Sequence, residues 1–205
     1  MALRGHHWMT SKGGAYSPRH RRPDPRPAGQ TADHHAISGG MAGAISLSGM
    51  SCLRSGAGLV KRAVPECILD TVAGFEPGYM TVALACDSAG CLFSQARDQL
   101  RPLIDSATCV ALGPGLSRGR ELTQLVGELY ASVTQPMVID ADALNALAES
   151  ATGLANPAGP RILTPHPGEF ARISKTPAGQ KPSRDEQIAV AQQLAAKHGI
   201  IIVLK

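Results

Sequence analysis

Three short apolar runs in this chain stop abruptly at glycine, acid or proline. Thr108–Leu112 runs into Gly113-Pro114-Gly115, Pro136–Ile139 into Asp140, and Arg161–Leu163 into Thr164-Pro165-His166. A strand wetted on one side alternates apolar and polar residues, whereas a strand covered on both faces is apolar throughout. These runs are of the second kind and need helices above and below. Helical patterns lie between them, as where Leu122, Leu125, Val126 and Leu129 recur at spacings of three and four within Arg120–Val133. Such short strand, helix and strand units form right-handed crossovers. The fold expected is therefore α/β, a mostly parallel sheet with helices on both faces.

The same signals extend both ways. A helix of small residues over Ala44–Leu53 stops at Ser55-Gly56-Ala57-Gly58, a strand over Leu59–Val64 is closed by Pro65, a helix starts near Glu66, and Pro77-Gly78 marks a turn. Further on, the pattern predicts helices over Ser94–Ile104, Ala143–Ala148 and Asp185–His198, a short helix around Phe170, and a last buried strand over Ile200–Leu204.

The first 35 residues differ in kind. Arg4, Lys12, Arg19, Arg21, Arg22 and Arg26 face only Asp24 and Asp33 there, a surplus of +4 that equals the net charge of all 205 residues. Residues 36–205 are thus neutral overall, and with 3% aromatic residues they offer neither a basic face nor stacking platforms for nucleic acid. Lacking apolar periodicity, residues 1–35 are expected to form a disordered basic tail, and 36–205 the folded domain. His6, His7, His34 and His35 in such an arm lack the fixed shell of a metal site. No apolar run is long enough to span a membrane. The five cysteines, Cys52, Cys67, Cys86, Cys91 and Cys109, form no C-x-x-C pair, which indicates a reduced, cytoplasmic chain without zinc.

Open parallel sheets bind ligands beyond the carboxyl ends of their strands, so the three loops named first are the candidate site. Gly113 and Gly115 let a ligand approach the backbone, and exposed N–H groups there favour an anion. Asp140 would stand at the rim of the sheet, with Asp142 capping the following helix and Asn145 one turn further on. Pro165 and Pro167 fix the backbone around His166, a presentation that suits ligand contact. Glu169 falls in a first helical turn, where the dipole favours a carboxylate, and His198 ends a helix as a partner for its C-terminal dipole.

Taken in order, G-M-A-G-A (40–44), L-R-S-G-A-G-L-V (53–60), G-P-G-L (113–116), V-I-D-A-D-A-L-N (138–145) and I-L-T-P-H-P-G-E-F (162–170) closely resemble the ADP/ATP-dependent NAD(P)H-hydrate dehydratases. That resemblance spans about residues 40–205 and implies a ribokinase-like fold, altered at its N-terminus and incomplete at its C-terminus. It implies that ADP or ATP, with Mg2+, drives the dehydration of (S)-NAD(P)H hydrate to NAD(P)H. By motif, Ala44, Gly115 and His166 match positions that contact the hydrated dinucleotide, and Lys205 matches the opening of a stretch that contacts the adenine nucleotide. Gly113, Asp140 and Asn145 are further candidates for lining the site. The family's catalytic aspartate belongs to a G-T-G-D loop expected beyond Lys205, so this chain is expected to bind better than it turns over. A small-molecule kinase of the same fold and a non-catalytic nucleotide-binding remnant are the alternatives, and a homo-oligomer stays open.

Overall fold

The computed structural model describes residues 41–88, 90–92 and 95–205. The basic tail, the histidines within it and the domain boundary near residue 35 lie outside the described residues. Helix α1 (Ala42–Arg54) leads into β1 (Val60–Pro65), a 3-10 turn (Glu66–Ile68), α2 (Leu69–Ala73) and β2 (Tyr79–Leu84). After α3 (Ala96–Asp105), strands and helices alternate as β3 (Val110–Leu112), α4 (Arg120–Ser132), β4 (Met137–Ile139), α5 (Ala141–Glu149), β5 (Arg161–Leu163), α6 (Pro167–Ile173), α7 (Arg184–His198) and β6 (Ile201–Ile202).

Every strand pairing is parallel, as the apolar runs require, but the described strands form two sheets. β1 pairs with β2, and the second sheet has the order β3-β4-β5-β6. Helix α3 reaches toward the first sheet through Gln99, whose Oε1 accepts the Ala85 N–H at 2.8 Å. The sequence pattern marks the turn before β2 but not the strand itself. Its residues are mostly half-buried and do not alternate cleanly, so neither period stands out.

Around the four-stranded sheet, Leu122, Leu125, Val126 and Leu129 of α4 pack with Met137, Ile139, Leu144, Leu147 and Leu163. A smaller cluster joins Ala42, Val64, Ile68 and Val72 in the β1-β2 half. Helix α7 is bounded as its sequence dictates. Ser183 and Glu186 form a capping box at its start, and Gly199 stops it in the left-handed conformation at φ 65°. His198 stands in its last turn as expected, but burial and then Lys197 lower its pKa and work against a charged dipole partner.

At the amino end of β5 lies a deeply buried cation. Arg161 is 1% exposed, and its guanidinium donates to the carbonyls of Tyr130 (2.7 Å), Val133 (2.5 Å), Gln135 (3.1 Å) and Pro160 (3.1 Å). The first three of these close the carboxyl end of α4 and the turn after it, where the helix dipole favours positive charge. The guanidinium also lies 5.4 Å from the centre of the Tyr130 ring, and burial lowers its pKa.

Replacing Arg161 with Met would leave those carbonyls buried without donors, so a loss of about 3 kcal/mol in urea unfolding is expected, with no recovery in Arg161→Lys. A second outcome concerns alkaline pH. Burial pushes the Tyr130 phenol from 10 up to about 12, against the pull of Arg161. Because the folded value is the higher one, the stability that Tyr130 contributes is complete below pH 10 and is lost as pH rises toward 12. Unfolding midpoints measured across that range should fall less steeply in Tyr130→Phe.

Candidate functional site

The ladder of the four-stranded sheet continues past its strands. Asp140 N–H donates to Leu112 O at 3.0 Å, Thr164 N–H to Ile139 O at 3.1 Å, and Val203 N–H to Leu163 O at 2.8 Å. The loops at the carboxyl ends are thereby fixed side by side. Gly113 stands so close to Asp140 that a Cβ at that position would meet the Asp140 carbonyl oxygen at 1.7 Å, and its φ of 133° suits only glycine. A Cβ on Gly115 would lie 3.0 Å from Met41 O, so the loop abuts the start of α1. Ala44, half-buried, belongs to the first turn of that helix, where its carbonyl accepts from Ser48 Oγ at 3.1 Å.

Asp140 stands at the rim as expected, but the capping role expected of Asp142 falls to it as well. Helix α5 begins at Ala141, two residues before the apolar periodicity suggests, so the cap moves back to Asp140, whose Oδ1 accepts the Ala141 N–H at 2.9 Å. Ala141 itself has φ 50°, a conformation that a residue with a side chain adopts only when its surroundings enforce it. Asp142 instead reaches back to the glycine loop, where its Oδ2 accepts the Ser117 N–H at 3.0 Å. Asn145 is buried, and its Oδ1 accepts from Arg172 Nη1 at 2.9 Å, tying α5 to α6.

The Asp140 carboxylate also holds Lys205, whose ammonium lies 2.5 Å from Oδ1. Lys205 reaches this place because its N–H donates to Pro165 O at 3.1 Å, which carries the β5-β6 pairing to the rim. Arg184, at the start of α7, donates to the carbonyls of Leu204 (3.0 Å) and Lys205 (3.1 Å). No sequence pattern singles out Arg184. Its partners lie about twenty residues away along the chain, and no spacing rule connects them.

His166 is both rigid and exposed. Its Nδ1 accepts from the backbone N–H groups of Gly168 (3.0 Å) and Glu169 (3.4 Å), so it caps α6. Glu169, buried, closes the box by accepting the His166 N–H at 2.9 Å, while its other oxygen lies 3.2 Å from Nε2. With Nδ1 acting as acceptor, the neutral ring carries its proton on Nε2, toward Glu169. Both ring nitrogens are thus engaged inside the cap, and the half-exposed imidazole turns its face and edge outward.

The arrangement is a rim rather than a closed pocket: glycine backbone on one side, a histidine ring on the other, and a lysine ammonium beside them. Backbone N–H groups and an ammonium suit a phosphate-bearing ligand. Two hollows elsewhere are lined by residues such as Arg97, Leu129 and Glu128 around α3 and α4, and include none of the loop residues. Among the described residues no three His, Cys, Asp or Glu side chains could hold a metal ion, and no helix is long and apolar enough to cross a membrane.

Comparison with known proteins gives this geometry its context. A family model described as NAD(P)H-hydrate dehydratase matches residues 35–205. Over 168 residues the chain is 39% identical to the bifunctional NAD(P)H-hydrate repair enzyme of Moorella thermoacetica, covering 82% of this chain and 31% of that protein. The Escherichia coli enzyme of the same name is 31% identical, with 88% of this chain and 32% of that one covered. Among solved structures, ADP/ATP-dependent NAD(P)H-hydrate dehydratase from Bacillus subtilis, co-crystallised with ATP/Mg2+ and soaked with CoA, superposes with a TM-score of 0.59 at 27% identity, covering 81% of this chain and 55% of that one. A ribokinase-like superfamily protein of Enterococcus faecalis gives a TM-score of 0.62 at 26% identity over 81% of this chain and 54% of that one. The chain therefore spans about a third of the length of these repair enzymes.

Two positions probe the rim. Gly113→Ala should lower stability by about 2 kcal/mol or more, since it forces a left-handed alanine against the Asp140 carbonyl. Asp140→Ala should cost about 1 kcal/mol through loss of the cap, while Asp140→Asn, a good cap in its own right, should cost clearly less. Thermal unfolding of the three variants measures both.

Proposed function

This chain belongs to the NAD(P)H-hydrate dehydratase family, and we propose that it binds NAD(P)H hydrate and an adenine nucleotide at the strand-end rim. The observation that carries the reading is the placing of Lys205 at the mouth of the glycine loops through Asp140 and Pro165. On this reading Ala44, Gly115 and His166 contact the hydrated dinucleotide, Gly113 and Asp140 shape the wall between them, and Lys205 meets the nucleotide phosphates. On this reading ADP or ATP brings Mg2+ on its own phosphates. The five cysteines, none of them in a C-x-x-C pair, suit a reducing compartment, and a cytoplasmic location is part of the proposal.

The chemistry proposed is dehydration driven by phosphoryl transfer. Phosphorylation of the ring hydroxyl turns it into a leaving group, and loss of phosphate together with a ring proton restores the dihydropyridine. Nothing in the rim recommends His166 as the base, since both of its nitrogens serve the α6 cap. Transfer itself depends on positioned donors for the developing charge. The resemblance assigns that task to a G-T-G-D loop, a stretch that is not among these 205 residues. The relatives favour this reaction over a small-molecule kinase.

Titration calorimetry with hydrated NADPH, and separately with ATP and Mg2+, tests the reading. Both should bind, and Lys205→Ala should weaken ATP about tenfold while leaving the hydrate unaffected, as expected for loss of one charge-assisted contact. If neither ligand binds the unaltered chain, the proposal is wrong.

A further inference from the structure

We propose that Asp142 is a positioning residue, whose carboxylate latches the Gly113–Ser117 loop into the shape that meets the dinucleotide. The inference rests on the reading above for its functional consequence, and on the loop's own geometry for the latch. Three of the five loop residues have positive φ: Gly113 at 133°, Gly115 at 78° and Ser117 at 71°. Glycine adopts such angles freely, but a serine does so only where its surroundings over-determine it. Leu116 N–H donates to Gly113 O at 3.1 Å and closes the turn between the glycines. The next N–H, that of Ser117, is the one taken by Asp142 Oδ2 at 3.0 Å.

The latch is mechanically placed to matter. Ser117 is buried, so a departure from its present angle would have to move the whole loop rather than one exposed side chain. Gly115, two residues earlier, is the point at which the loop meets the start of α1. Asp142 is itself held in the first turn of α5, whose start is fixed by the Asp140 cap and by the left-handed Ala141. Two carboxylates two positions apart thus hold two parts of the rim, Asp140 the Lys205 side chain and Asp142 the glycine loop. An asparagine at 142 could still accept the Ser117 N–H, because the bond needs an oxygen and not a charge.

Three variants of the full chain test this: Asp142→Ala, Asp142→Asn, and Asp142→Ala combined with Ser117→Gly. Amide hydrogen exchange reports the loop directly, and a fluorescence titration with NADPH as probe reports its consequence. In Asp142→Ala, exchange over 113–117 should speed up about tenfold or more while β4 and β5 keep their protection, and the NADPH Kd should rise about tenfold. Asp142→Asn should stay within about twofold of the unaltered chain on both measures. Adding Ser117→Gly should recover at least about threefold of the lost affinity, because glycine holds a positive φ without the latch. Unchanged loop exchange in Asp142→Ala, or no recovery on adding Ser117→Gly, would overturn the proposal. If the unaltered chain fails to bind NADPH, the dinucleotide reading falls, while the exchange comparison still decides whether Asp142 is the latch.

Discussion

The site depends on a backbone hydrogen bond made three times over. In the four-stranded parallel sheet, the first residue or so beyond one strand donates its N–H to the last carbonyl of the neighbouring strand: Asp140 to Leu112, Thr164 to Ile139 and Val203 to Leu163. A parallel ladder brings all of its carboxyl ends to one edge, and this repeated bond carries the register one step into the loops. Gly113, Asp140, Pro165 and Lys205 are neighbours for that reason, although they span most of the second half of the chain.

The two ends of the sheet divide their work. At the amino ends, Arg161 directs its hydrogen bonds to backbone carbonyls and anchors the close of α4 to β5. The arginine there serves packing and polar satisfaction, since a buried carbonyl without a donor is costly. At the carboxyl ends the polar groups are only partly covered: the His166 and Lys205 side chains are 53% and 45% exposed. Groups that remain reachable and yet are held by neighbours suit ligand contact, because their ordering cost is met before a ligand arrives. The V-I-D-A-D-A-L-N segment links these loops most directly, with Asp140, Asp142 and Asn145 each bonded to a different neighbouring element.

Much of this was legible in the sequence, and the remainder was hidden for identifiable reasons. The strand-end loops could be read because a continuous apolar run cut off by glycine or acid marks a strand reaching the rim, and β3, β4 and β5 lie within the runs expected of them, although the edge strand β3 is covered only in part. The order of roles in Asp140-Ala141-Asp142 could not, because it turns on a left-handed Ala141 that no propensity signals. Nor did local pattern reveal the capping role of His166, since serine, threonine, aspartate and asparagine are the usual caps. Arg161 looked like an ordinary first residue of a strand. Most of its partners, between residues 130 and 135, become neighbours only once α4 folds back onto the sheet. The pairing of Lys205 with Asp140 crosses 65 positions of sequence, and tertiary register alone creates it.

The loops after β3, β4 and β5 and the Lys205 segment together make one ligand site. Amide chemical-shift mapping on isotope-labelled chain, with hydrated NADPH added first and ADP with Mg2+ second, tests it most directly. The first addition should shift Gly113, Gly115 and the residues around His166, and the second Lys205 and its neighbours, with α3 and α4 unmoved. Shifts confined to Arg97, Leu129, Gln135 and the hollows around α3 and α4 would contradict it.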